Sequence, residues 1–295
     1  VMALFNDVAN QSFLPQLVPK TMLVRANSRL EQVSAVGETT GPAIAGGLVS
    51  WIGAPFVILL NAFTYIFSGL LVSTIKSVPA KRPEQSPVGH RIKEGLKWLY
   101  QHTYMKPLTL NTHFWFLWHS MTVTILVAYV ISGLGFDESL LGLVLAAAGI
   151  GAVIGTSLSG RAAARFGLGR AISVSRILYG PAVMLMVLAP SDTLLLSLVF
   201  VMSGQLIYGF AMGIEGPLEM GFQQTVTPDH LLGRVNATKR SINRSMIVIG
   251  APLGGALADM IGFRPALWMT IIGLIICGIW FLLSPMDKAE LGEEK

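Results

Sequence analysis

The sequence predicts an all-α membrane protein, a helical bundle, from three observations. Apolar residues come in long blocks, Lys and Arg alternate between the loops that join them, and one stretch of the chain is written twice. The 295 residues are 53% hydrophobic and only 13% charged, with a mean hydropathy of +0.62, whereas a soluble domain carries about 25% charged residues. A helix needs roughly 20 apolar residues to cross the hydrocarbon core. Spans 55–75, 107–133, 139–160, 171–190, 194–214 and 265–285 reach that length almost free of charge, and 32–52 and 245–262 reach it with more glycine.

Taken in order, the chain starts with an apolar stub at 1–13 and a basic segment at 14–31, followed by spans 32–52 and 55–75 on either side of Gly53. A long basic segment, 76–106, separates these from the six remaining spans and a charged tail at 286–295. Segments 14–31, 76–106, 161–176, 234–244 and 286–295 hold 20 of the 21 Lys and Arg residues, while the alternate loops, near 53, 134–138, 191–193 and 263–264, hold only Arg264. Lys and Arg gather in the cytoplasmic loops of membrane proteins. The central segment and the C-terminus are therefore expected in the cytoplasm, and the +5 net charge belongs to those loops rather than to a nucleic-acid surface. Cys277 stands alone inside the last span, so no disulfide framework can form within the chain.

The repeat sets the architecture. At an offset of 209 residues, Phe13, Pro19, Leu23, Arg25, Asn27, Gly41, Gly46, Leu48 and Gly53 match Phe222, Pro228, Leu232, Arg234, Asn236, Gly250, Gly255, Leu257 and Gly262. Internal repeats are a habit of transporter folds. Four spans precede the second copy, so the same offset places about 100 residues ahead of Val1 in a plan of six plus six helices. On that plan residues 1–13 are the tail of helix 4, matching 210–222, and the chain continues with helices 5 to 12. The expected divisions are 1–75 as the end of the first half, 76–106 as the central loop, 107–285 as the second half and 286–295 as a tail.

Two six-helix halves, a long basic central loop and a cytoplasmic C-terminus resemble the major facilitator superfamily. RIKEGLKWLYQH (91–102) resembles the amphipathic helix that leads into helix 7 of efflux-type members, and GIGAVIGTSLSGRAAARFGLGR (149–170) resembles their helix 8–9 hairpin. Gly160, Arg165, Gly167 and Arg170 fit that hairpin's signature, but Ala164 stands where the signature has an acid, so no charge relay is carried over. VGETTGPAIAGG and VIGAPLGGALAD resemble the Gly- and Pro-rich helices 5 and 11 of the drug- and siderophore-exporter branch. Independently of the resemblance, the small residues of these two spans suit close helix packing in lipid, and Pro42 and Pro252 each remove an internal hydrogen bond and are candidate hinges.

Polar residues inside apolar spans mark the candidate pathway for substrate and protons. Gln205, Tyr208, Met212, Glu215 and Glu219 are spaced 3, 4, 3, 4 and fall within about 80° of helical arc. A carboxylate at such depth needs water or a partner. Asn27, Glu31, Ser34 and Glu38 share a face in the same way, with Glu38 a candidate proton carrier. Glu31 is the repeat mate of Arg240, and this pair is a candidate cytoplasmic gate; Arg165 and Arg170 complete the loop residues assigned to it. Asn6, Asp7 and Asn10 match Glu215, Gly216 and Glu219 and join the pathway, as does His119, which lies with Asn111, His113, Trp115 and Trp118 in one polar-aromatic run. The two tryptophans are read as interfacial anchors.

The chain carries no His-Glu-x-x-His, P-loop or Gly-x-Ser-x-Gly motif, so an enzyme is not expected, nor is a metal or other cofactor. The expected protein is a secondary transporter of the inner, plasma membrane. It would export small amphipathic compounds against protons by alternating access, with the lipid bilayer and the preceding helices of the same protein as its partners. An importer of the same fold and a non-transporting membrane receptor are the alternatives.

Overall fold

The computed structural model describes residues 14, 15, 17–74 and 88–289, with side chains at all of them except 38–47, 49, 50, 54, 72, 73, 88–92 and 138. The expectations for Asn6, Asp7 and Asn10, and for the side chains of Glu38 and Pro42, lie outside the described residues. Among the described residues there are nine α-helices and no strand. They are α1 Leu23–Ile52, α2 Ala54–Ser73, α3 Val88–Gln101, α4 Met105–Ala128, α5 Glu138–Phe166, α6 Leu168–Val187, α7 Leu194–Val226, α8 Leu232–Ile261 and α9 Phe263–Leu282. Helix α4 ends in a π-helical turn, Tyr129–Gly133, and a 3-10 turn at Pro285–Lys288 follows α9.

The repeat is visible in the element boundaries. Leu23 and Leu232 open α1 and α8, Ile52 and Ile261 close them, and Ala54 and Phe263 open the helices that follow. Gly53 and Gly262 form the joints, with φ of 82° and 87°, a region glycine enters without the steric cost of a Cβ.

Among the described residues, six stretches are long and apolar enough to cross a membrane: Met105–Gly133, Ser139–Phe166, Leu168–Val187, Leu194–Val226, Leu232–Ile261 and Phe263–Leu282. Helix α2 adds a shorter apolar stretch, Pro55–Leu71. Several helices outrun the spans read from hydropathy. Helix α7 has 33 residues, about 50 Å of length, and runs on to Val226, so Glu219 lies two turns inside it rather than at a solvated end. Helix α6 starts at Leu168, which moves Arg176 from the basic loop to mid-helix, and α8 takes in Lys239. The tally of loop cations is corrected accordingly.

The helices meet through small residues, as they must where lipid removes the hydrophobic drive for association. A Cβ added at Gly151 or Gly155 of α5 would collide with the α7 backbone at Leu206 and Phe210, and one at Gly209 or Gly213 of α7 would collide with α5 at Ala148 and Ala152. Gly250 and Gly254 of α8 sit as tightly on Leu117, Ser120 and Met121 of α4. Pro252 lies between them inside the continuous helix.

Helix α1 crosses to α5 and α7 at the basic end of the bundle, the end whose loops carry the Lys and Arg. There Asn27 donates to Gln224 (2.6 Å), Ser28 and Ser159 share a hydrogen bond (2.7 Å), and Gln32 donates to Ser157 (2.8 Å). Helix α3 lies along α4 and α8, held by the Glu94–Arg234 ion pair, by Tyr100 against His113 (2.9 Å) and by the buried Leu99. The turn after α9 buries Met286 and pairs Asp287 with Arg170 at 3.0 Å.

Two apolar clusters fill the second half. One gathers Ile125, Tyr179, Val183, Tyr208 and Ile271; the other, toward the basic end, gathers Leu108, Ile172, Leu218, Phe222 and Phe281. Between them α4, α6 and α7 each place a polar turn, and these turns meet.

Candidate functional site

The polar layer is organised by Arg176, whose side chain is 1% exposed. Its Nη2 lies 2.7 Å from Glu215 Oε1 and 2.7 Å from Glu219 Oε2, and donates to Thr112 Oγ1 at 2.8 Å. Its Nη1 donates to Asn111 Oδ1, and its guanidinium carbon stands 4.3 Å from the centre of the Phe281 ring. Asn111 is itself fixed by donating to the Cys277 carbonyl at 2.8 Å. Lys239 of α8 completes the group: its Nζ reaches Glu219 Oε1 at 2.5 Å and Gln223 Oε1 at 2.7 Å. Two cations and two carboxylates thus form one balanced cluster, the arrangement that makes buried charge tolerable. Tyr179 donates to the other Glu215 oxygen at 2.7 Å.

The cluster forms part of the wall of a cavity of about 440 Å³. Glu215, Glu219, Gln223 and Met212 of α7 line it, with Trp115 and Phe116 of α4, Tyr179 of α6, and Asn236, Lys239, Arg240, Asn243 and Arg244 of α8. From α1 come Glu31 and Ser34. Its lining is therefore partly aromatic and thioether and partly charged. Among the described residues, no group of three His, Cys, Asp or Glu side chains is placed to hold a metal ion.

The residues singled out from sequence are distributed as follows. Glu215, Glu219 and Met212 meet at this cavity, and Glu31 and Arg240 line it from α1 and α8. Tyr208 and Gln205 are buried one and two turns from Met212 along α7 and are not among its lining residues. His119 shares a hydrogen bond with Tyr208 at 2.7 Å and stacks on Trp115 at 4.5 Å. Arg165 is exposed on α5 beside Phe166, and Arg170 pairs with Asp287, so neither reaches the cavity. Trp115 is buried on the cavity wall and Trp118 packs against Gly273, so these two are packing residues rather than interfacial anchors.

Arg176 and Lys239 are the site residues that sequence reasoning missed. Both had been counted among loop cations. A signal was available, since Arg176 is the one Lys or Arg inside the eight apolar spans, and two acids on a neighbouring apolar helix require a counter-charge.

The sequence profile of the Major Facilitator Superfamily matches residues 1–238 and 119–295. The multidrug efflux pump Tap of Mycolicibacterium fortuitum is 25% identical over 285 residues, covering 94% of this chain and 68% of that protein. The enterobactin exporter EntS of Citrobacter koseri is 25% identical over 272 residues, covering 91% and 63%. An uncharacterised transporter of the superfamily from Sinorhizobium fredii, y4rN, is 25% identical over 260 residues, covering 85% and 60%. The chain thus spans 60–68% of the length of these relatives. Among solved structures, a bacterial homologue of the iron transporter ferroportin in its outward-facing state superposes with a TM-score of 0.70 at 18% identity, over 95% of this chain and 68% of that one. Profile, relatives and fold agree with the repeated helical plan, and the chain belongs to the Major Facilitator Superfamily as a multi-pass membrane transporter.

Proposed function

We propose that the protein exports small amphipathic compounds in exchange for protons, by alternating access around the 440 Å³ cavity. The observation that carries this reading is the buried Arg176–Glu215–Glu219–Lys239 cluster on the cavity wall. Glu219 serves both cations, whereas Glu215 serves only Arg176. A proton on Glu215 therefore leaves Arg176 and Lys239 each with a carboxylate partner. Glu215 is the carboxylate whose protonation still leaves each cation touching a carboxylate, with the cluster then carrying one net positive charge, and Tyr179 is placed to hold either form by hydrogen bonding.

The aromatic and thioether residues of the lining suit an apolar body, and its charged residues a polar head. The activities for which Tap and EntS are named, multidrug efflux and enterobactin export, support export as the direction. The polar contacts of α1 with α5 and α7 join these helices at the basic end, and the placement of Lys and Arg supports that end as the cytoplasmic one; both favour an outward-facing arrangement. Glu31 of α1 and Arg240 of α8, both lining the cavity, then act in its cytoplasmic gate.

Flux measured in proteoliposomes tests the reading. An inward-directed proton gradient is expected to drive efflux of an amphipathic cationic dye by the native protein. Glu215→Gln is expected to insert and fold normally but to lose at least tenfold of the pH-driven rate. Flux that keeps its pH dependence in Glu215→Gln would remove the proton role from this residue.

A further inference from the structure

Outside the central cavity, the structure holds a second cleft, of about 900 Å³, between α1 and the end of α5. Its cations are Arg25 and Arg29 from α1 and Arg161 from α5, all exposed, and among its described lining residues there is no acid. Ser28, Gln32 and Ser157 add polar groups along its wall, and Ala164 presents only a methyl. We propose that this cleft binds the phosphate of an anionic membrane phospholipid, with the headgroup on the three arginines.

The helical register favours a lipid over a free anion. On α1, Arg25, Arg29 and Gln32 share one face, and the next residue of that face into the bundle is the exposed Val36. On α5, Arg161 and Ser157 share a face that continues through the exposed Ile154 and Ile150. Both helices thus pass from guanidinium through hydroxyl and amide to bare aliphatic side chains, in the order of a phospholipid's headgroup, glycerol backbone and acyl chain. A guanidinium matches a phosphate with paired donors, and basic pockets between membrane helices on the cytoplasmic side take anionic headgroups. The Gln32–Ser157 and Ser28–Ser159 hydrogen bonds tie the two walls together beside the cleft, so an occupant bridging α1 and α5 reinforces a contact between the two halves.

Native mass spectrometry of the purified protein in detergent, titrated with phosphatidylglycerol, reads the site directly. The native protein is expected to retain one phosphatidylglycerol in preference to phosphatidylcholine. Arg29→Gln and Arg161→Gln should each weaken retention roughly fivefold. Ala164→Asp, which adds a counter-charge and removes no contact, should weaken it at least as much. Circular dichroism and gel-filtration elution establish that each variant is folded; should Ala164→Asp fail to fold, the two exposed arginine variants decide. Retention that is unchanged across the folded variants overturns the site. Displacement of the lipid by millimolar inorganic phosphate, or equal retention of phosphatidylcholine, overturns its assignment to an anionic phospholipid.

Discussion

Arg176 holds four oxygen partners, from Asn111, Thr112, Glu215 and Glu219, in a layer walled above and below by apolar side chains. Removing one partner of a buried ion pair costs about 3–5 kcal/mol because the other charge is left uncompensated. Arg176→Gln is therefore expected to lower the unfolding midpoint of the purified protein sharply. Adding Glu215→Gln should recover a large part of the loss, because Glu219 keeps Lys239 as its counter-charge. Additive losses in the double variant would show that the four charges do not act as one cluster. At this scale, the acids were legible and the bases were not. Glu215 and Glu219 announced themselves as a stripe on an apolar helix. Arg176 lies both in span 171–190 and at the edge of the basic segment, where it is averaged into the loop, and its burial is what separates it from the loop cations. Lys239 was hidden for the same reason, inside a helix that begins seven residues before it.

Glycine decides how close the helices come. The sequence offers Gly250, Gly254 and Gly255 of α8 alike as small residues for close packing, but the structure divides them. A Cβ at Gly250 or Gly254 would strike α4, whereas one at Gly255 meets nothing within 4 Å. The contacts of Gly151 and Gly155 with α7, and of Gly209 and Gly213 with α5, could not be read from a single helix, because which glycine is crowded depends on the partner's backbone. Overpacking a close contact costs about 1–3 kcal/mol, whereas alanine in an open helical position is better than glycine by up to about 1 kcal/mol. Gly155→Ala and Gly213→Ala should thus lower the melting temperature in detergent, and Gly255→Ala should leave it unchanged or raise it. A fall of equal size at all three positions would mean that helix propensity and lipid contacts, rather than the α5–α7 approach, set the response.

Among the described residues the plan repeats in α1–α2 and α8–α9, and α1 joins the first pair to α5 and α7. The plan was legible because identical boundaries recur in α1 and α8 and in α2 and α9, and a membrane forces each repeat to satisfy its backbone within helices. The contact between halves was not legible, since Asn27, Ser28 and Gln32 find partners more than 100 residues away that no local pattern names. On the proposed function, that contact is one that alternating access would break. The Ser28 and Ser159 Oγ atoms lie 2.7 Å apart, near enough for a cysteine pair to bridge with little movement of the backbone. In a Cys277→Ser background, Ser28→Cys with Ser159→Cys should form a disulfide on mild oxidation, hold the basic end shut and stop flux. Reduction should restore it, and each single cysteine should transport in both conditions. A cross-linked protein that still transports at the native rate would show that α1 and α5 stay together throughout the cycle. The moving contact would then have to lie elsewhere, with the Glu31 and Arg240 sides of the cavity the next pair to tether.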